Sequence, residues 1–486
     1  MSSAIVLTII SLYFASLLLI SYFTSRGANN QSFFIGNRNS PWYIVAFGMI
    51  GTSLSGVTFI SVPGWVGDSQ FSYLQMVLGY LLGYMVVGGV LMPLYYRLNL
   101  TSIYTYLEGR FGFWSYKTGA FYFILSRTIG AAFRLYLVAN VLQLAIFDAW
   151  NVPYAVTVAI TILLIWIYTN KGGIKTIVWT DSLQTLFMLL AVGITVWKIG
   201  GALDLSISGI VSAVDQSEFS KTFFFDDWRS QKFFWKQFLS GAFITIVMTG
   251  LDQDMMQKNL SCKSLKEAQL NMFSFSTVLV FVNLMFLSLG ALLYLYADQI
   301  GLAIPQQTDE LYPALALGGE LGFTVAILFI LGLIAAAYSS ADSALTALTT
   351  SVCIDLIDIK HKEEKQRDKL RKKVHIIMSF VLFLVIIAFS FISDESVISS
   401  LFKAAGYTYG PLLGLYAFGM ITKKRLKDKA VPWLCVIAPI LTYLVQLYSK
   451  ELFFGYQFGF EIIILNGLIT FCGLAILSLS FINKET

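Results

Sequence analysis

Apolar runs of about 20 residues follow one another along almost the whole chain, and that is the length an α-helix needs to cross the hydrocarbon core of a bilayer. Such runs lie near 3–23, 41–67, 72–97, 117–147, 153–169, 175–198 and 236–250, and again near 270–297, 320–353, 374–393, 396–421, 431–449 and 459–482. A crossing helix satisfies its backbone groups internally, so thirteen runs predict an all-α polytopic membrane protein of about thirteen helices. Composition agrees. Of 486 residues, 57% are hydrophobic and 13% charged, against about 25% charged in an average soluble domain. A water-soluble fold is excluded on that ground. The first run, Ala4 to Phe23, has no basic region ahead of it and is long for a signal-peptide core, so it is expected to stay as the first helix.

An odd number of crossings puts the termini on opposite sides, and the basic residues choose which. Loops of one parity hold 24 of the 33 Lys and Arg residues, including Arg26, Arg97, Lys258, the run from Lys360 to Lys373, and Lys484. The other parity holds six, and Arg127, Arg134 and Lys403 fall inside spans. The N-terminus is therefore expected outside and the C-terminus in the cytoplasm, and the short loops without a soluble domain make a bacterial inner membrane the expected location. The Lys360–Lys373 run reads as a solvated cytoplasmic loop rather than a nucleic-acid patch or a lipid switch. The longest loop, about 199–235, is aromatic at Phe223, Phe224, Phe225 and Trp228 and is expected to lie over the extracellular mouth. The four cysteines (Cys262, Cys353, Cys435, Cys472) are scattered, and His361 and His375 lie in or beside one basic loop. Neither zinc chemistry nor histidine-based catalysis has the residues it needs.

Two spans are poor helices at mid-depth, where a break must line a cavity or meet an ion. Gly48 to Thr58 holds three glycines and four hydroxyl residues in eleven positions. Small residues also serve close helix packing, so this segment alone favours neither role. Five helices later, the span near 236–250 contains Gly241 and Gly250 and runs into Leu251-Asp252-Gln253-Asp254. Interrupted helices in corresponding positions point to an inverted repeat. The expected divisions are 1–40, with a first peripheral helix; 41–198, the first repeat; 199–235, an outer loop; 236–421, the second repeat; and 422–486, two peripheral helices. Pro411 is expected to bend the last helix of the second repeat.

Charges at membrane depth are costly, so each is a functional candidate. Asp181 lies just inside a span. Ser339, Asp342 and Ser343 share one helix face at i, i+3 and i+4. Their oxygens suit a dehydrated sodium ion better than a transition metal. The competing reading is a serine-rich helix interface with Asp342 paired to a cation. Arg134 sits near the middle of its span, where it either neutralises an internal aspartate or offers a planar fork to an anionic solute. Arg127, two turns away, reads as structural or cytoplasm-facing.

Several stretches carry a resemblance: Gly172-Gly173 followed by Trp179-Thr180-Asp181 and Gln184, Asp252-Gln253 with Gln257 and Leu260, Ala336 to Ser343, and Gly51 to Gly64. In this order, over about 41–421, they resemble the sodium/solute symporter family of sodium–glucose, sodium–proline and bacterial sodium–sialic acid carriers. The resemblance implies a leucine-transporter-like core of 5+5 inverted repeats working by alternating access. It implies a sodium site from the carbonyls of Gly51, Leu54 and Ala336 and the hydroxyls of Ser339 and Ser340. A second cation, sodium or a proton, would use Asp181, Ser339, Asp342 and Ser343, where Asp342 departs from the family by replacing a small hydroxyl residue. One or two sodium ions are thus expected as coupling ions. Substrate contacts would fall at Ser53, Ser55, Thr58, Gln75 and Arg134, a set fit for a sugar acid such as sialic acid. A neutral sugar or polyol, another carboxylate or an amino acid are the alternatives.

Other function classes fit less well. A channel would need a repeated selectivity lining, and a membrane enzyme a catalytic constellation; neither is visible. A non-transporting sensor would be expected to carry an added signalling domain, and only Ile482 to Thr486 follow Phe481.

Overall fold

The computed structural model describes residues 3–391 and 397–482. Lys484 and the rest of the tail beyond Ile482 lie outside the described residues, as do 392–393 and 396 of the expected spans. Among the described residues the regular structure is helical, with one isolated bridge between Ser40 and Cys262.

The crossing helices are α1 (Ser3–Thr24), α2 (Trp42–Ser69), α3 (73–97, with a π turn at 87–91), α4 (Phe113–Leu142), α5 (Tyr154–Gly172) and α6 (Ile174–Ala202). Then come α7 (Phe234–Gly250 and Gln253–Asn259), α8 (Leu265–Gln299), α9 (Phe323–Ser351) and α10 (Glu364–Phe389). The last are α11 (Val397–Thr408 and Gly410–Ile421), α12 (Val431–Leu447) and α13 (Ile462–Ile482). Eight helical stretches among them are long and apolar enough to span a membrane, and one of these, Trp42–Arg97, contains both α2 and α3. The two halves of α7 bend by 69° at their break, and the apolar helices of α5, α11 and α13 are shorter. With α2 and α3 counted apart, the bent α7 as one and the three shorter helices included, the described residues hold thirteen candidate crossings. Leu12, Phe121, Phe281, Phe380 and Trp433 stand exposed on the outside of the bundle, a surface suited to lipid rather than water.

Three departures from the expected organisation have physical causes. First, α10 begins at Glu364, so most of the basic run expected as a loop is helix. Its Lys, Arg, Glu and Gln residues are good helix formers, and Asp368 pairs with Arg371 and Lys372 at 2.7 Å each. Arg371 is buried, donating to the Asn30 side chain (3.1 Å) and the Asn170 carbonyl (2.8 Å). His375, at the start of the expected 374–393 span, lies inside α10, its ring nitrogens at 3.1 Å from Thr169 Oγ1 and 2.8 Å from Thr349 Oγ1. Second, Lys258 is no loop residue: it is 1% exposed, in the second half of α7. Third, the 199–235 segment contains a helix, Ile207–Gln216, and then folds back so that the Phe224 amide donates to Gln75 Oε1 at 3.1 Å.

At the centre, α9 packs along α6 and α2, α8 lies along α2, and α3 lies along α7. Small residues permit these approaches. A Cβ on Gly51 would stand 2.2 Å from Thr185 Oγ1, and one on Gly241 only 2.0 Å from the Met76 carbonyl oxygen. The interrupted helices α2 and α7 are thereby held close against α6, α8 and α3.

Candidate functional site

Ser55 interrupts α2, with φ 53° and ψ 170°. That left-handed φ is strained for a residue with a Cβ, and such strain collects at functional positions. It also kinks the helix, and a kink disturbs the helical hydrogen bonds of the turn before it, which includes Gly51 and Leu54. In α7 the ladder stops at Leu251-Asp252, and Asp252 restarts it as a cap: its Oδ1 accepts from the Asp254 amide at 2.9 Å and the Met255 amide at 3.4 Å.

Between the two breaks lies a cavity of about 80 Å³. Ser53, Ser55 and Thr58 of α2 line it, facing Arg134 of α4 and Tyr73, Tyr80 and Tyr84 of α3. This is smaller than the roughly 300–1,000 Å³ of ordinary ligand pockets, so a solute of sugar size needs the surrounding helices to part. Arg134 is buried, its Nε has no hydrogen-bond partner, and it makes no ion pair among the described residues. Asp252 is within electrostatic range of it, but that carboxylate is committed elsewhere: Oδ2 accepts from the Tyr409 hydroxyl at 2.5 Å and lies 4.0 Å from Arg127.

Arg127 has the opposite situation. It is buried and ion-paired with Asp254 as well as Asp252, so it ties α4 to the α7 break. Gln75 stands away from the cavity. Its amide nitrogen donates to the Lys232 carbonyl (2.9 Å) and its oxygen accepts from Phe224, which fixes the 199–235 segment over the end of α3. Of the five residues expected to touch substrate, four line the cavity and Gln75 does not.

The hydroxyl-rich face of α9 divides in two, because successive residues on a helix point about 100° apart. Ser339 Oγ donates to Asp181 Oδ1 at 2.8 Å. Ser340 Oγ is buried without a partner. Asp342 accepts from the Tyr168 hydroxyl at 2.8 Å and from Ser343 at 3.3 Å. It feels the charge of Asp181, yet the two carboxylates have separate donor sets.

Around Asp181 the structure adds residues that sequence reasoning does not place there. Thr52 donates to Oδ2 at 3.0 Å, and the Lys258 ammonium reaches the same oxygen at 2.6 Å. Thr185 accepts from the Gly51 amide at 3.1 Å and donates to the Asp181 carbonyl at 2.8 Å, locking α2 against α6. A signal for Lys258 exists in the sequence: a lone aspartate inside a span demands a cation, and Lys258 directly follows Gln257 of the motif.

A family model of sodium:solute symporters matches residues 33–437. The chain is 26% identical over 484 residues to the sodium/sialic acid symporter of Proteus mirabilis, covering 94% of this chain and 93% of that one. It is 26% identical over 467 residues to the sodium/sialic acid symporter of Aliivibrio fischeri, covering 92% and 89%. Among solved structures, a Na+-coupled sialic acid symporter in a substrate-bound, outward-open state superimposes with a TM-score of 0.82 at 23% identity, over 98% of this chain and 97% of the other. A nucleobase-cation-symport-1 family transporter in a closed conformation gives 0.55 at 15% identity, over 94% and 95%. These likenesses give the fold, a leucine-transporter-like helical core.

Proposed function

The chain belongs to the sodium:solute symporter family, and from that premise we propose that it imports a sugar acid, with sialic acid as first choice, by sodium-driven alternating access. The observation that carries the substrate class is Arg134, a buried guanidinium at a hydroxyl-lined cavity with no carboxylate of its own. A buried cation held without a counter-ion is costly, and an anionic solute supplies the missing charge. Ser53, Ser55 and Thr58 are suited to the solute's hydroxyls. The sialic acid transport of the two bacterial relatives supports the same choice.

For the coupling ion, the carbonyls of Gly51, Leu54 and Ala336 with the hydroxyls of Ser339 and Ser340 form the candidate site between α2 and α9. The unpartnered Ser340 hydroxyl supports it. Sodium bound there joins the interrupted helix to α9 in the outward-open state and raises affinity for the solute. By linkage the solute raises affinity for sodium by the same factor. The membrane potential acts on the net charge moved, about 2.3 kcal/mol per charge per 100 mV. In this mechanism 41–198 and 236–421 are the inverted repeats that rock against each other, with 1–40 and 422–486 peripheral. The 199–235 loop covers the outer face, the N-terminus is outside, and the membrane is a bacterial inner membrane.

Thermal unfolding of the purified protein, in sodium and in choline, against sugars, sugar acids and amino acids tests the substrate class. A ligand at 100 times its dissociation constant adds about 2.7 kcal/mol. Stabilisation by sialic acid or another carboxylate only in sodium is the expected result. Stabilisation by neutral sugars alone would remove the substrate role of Arg134. Ser340→Ala is expected to raise the sodium concentration for half-maximal uptake by roughly tenfold or more, the loss of about 1.4 kcal/mol of ion binding. An unchanged sodium dependence would remove Ser340 from the site.

A further inference from the structure

Donors from the chain itself saturate the Asp181 carboxylate. Oδ1 accepts from Ser339 at 2.8 Å and, with the Gln184 amide turned so that its nitrogen faces the carboxylate, from Gln184 at 3.1 Å. Oδ2 accepts from Lys258 at 2.6 Å and Thr52 at 3.0 Å. A carboxylate offers about four lone-pair positions on its two oxygens, and all are engaged. The Lys258 ammonium also lies 2.5 Å from Thr52 Oγ1.

These oxygens overlap the set expected to hold a second sodium ion. An ammonium bonded to a carboxylate and a hydroxyl presents the charge such an ion would, at hydrogen-bond rather than coordination distance. Both partners are buried, Lys258 at 1% exposure and Asp181 at 1%. Away from water each would be costly alone, and together they neutralise the site. A sodium ion beside that ammonium would meet a like charge in a weakly screening interior.

We propose that Lys258 is a tethered cation that takes the place of a second sodium ion at Asp181, so that the chain couples a single sodium, bound between α2 and α9, to its solute. The inference rests on the sodium coupling and the α2–α9 site proposed above. The geometry adds a mechanical consequence. Lys258 rides on the second half of α7, whereas Asp181 and Thr52 belong to α6 and α2, so the ammonium joins three core helices at the break. A free ion at this position would leave with each cycle; a tethered one stays and resets.

Equilibrium binding of radioactive sodium to the purified full-length protein tests this without knowledge of the solute. The wild type is expected to bind one ion per chain. Lys258→Met, which frees the Asp181 oxygens, is expected to bind two, and Asp181→Asn/Lys258→Met to return to one. Lys258→Gln, which keeps a donor for Asp181 but no charge, carries the same expectation as Lys258→Met and guards against a methionine variant that does not fold. Two ions on the wild type, or one on both Lys258 variants, overturns the tethered-cation assignment and leaves sodium coupling standing. No binding to any of them overturns sodium coupling, and this inference with it.

Discussion

Arg134→Ala is expected to lower sodium-driven uptake of sialic acid into proteoliposomes by a hundredfold or more while leaving the melting temperature of the purified protein nearly unchanged. Removing one member of a buried, hydrogen-bonded charge pair costs about 2–5 kcal/mol, and each 1.4 kcal/mol is roughly a factor of ten. The folded protein loses little, because Arg134 makes no ion pair among the described residues and its Nε is unpartnered. Arg134→Lys should rescue only part of the uptake, since an ammonium cannot form the planar two-point contact of a guanidinium with a carboxylate. Full uptake of the acid by Arg134→Ala would make the arginine structural. Lost uptake with a collapsed melting temperature would mean the same.

The breaks that place Arg134 opposite Ser53, Ser55 and Thr58 are legible in the amino-acid sequence, because glycines and hydroxyl residues clustered at mid-span weaken a helix where no water can take over its hydrogen bonds. The same holds for Arg134 itself, a charge too deep to be incidental. What the sequence hides has a common cause. Periodicity tells which residues share a helix face but not what stands across from it. Ser339 and Ser340 look equivalent in sequence, yet a rotation of about 100° gives one to Asp181 and leaves the other free. Gln75 has the polarity of a sugar contact and instead pins the loop through Phe224. Lys258 is hidden by its own charge. A lysine near the end of an apolar run reads as a loop residue, and only the 69° turn of α7 swings it back toward Asp181.

Arg127 and Arg134 lie two turns apart on α4, and substitution should separate their roles. Arg127→Ala leaves Asp252 and Asp254 without their cation at the break of α7. Breaking a buried pair from one side costs about 3–5 kcal/mol, so this variant should melt several degrees lower or fail to purify. Asp252 both caps the second half of α7 and accepts from Tyr409 of the α11 connection, so the loss spreads to α11 as well. A paired removal, Arg127→Met with Asp254→Asn, takes away charge from both sides but leaves Asp252 ionised, and is expected to recover part of the melting temperature. Its sodium affinity should then stay near the wild-type value, because the proposed α2–α9 site does not include the pair. Comparable melting of Arg127→Ala and Arg134→Ala would contradict this division. The division follows from the partners each arginine meets: Arg127 finds its carboxylates within the chain, and Arg134 lines a cavity and makes no ion pair among the described residues.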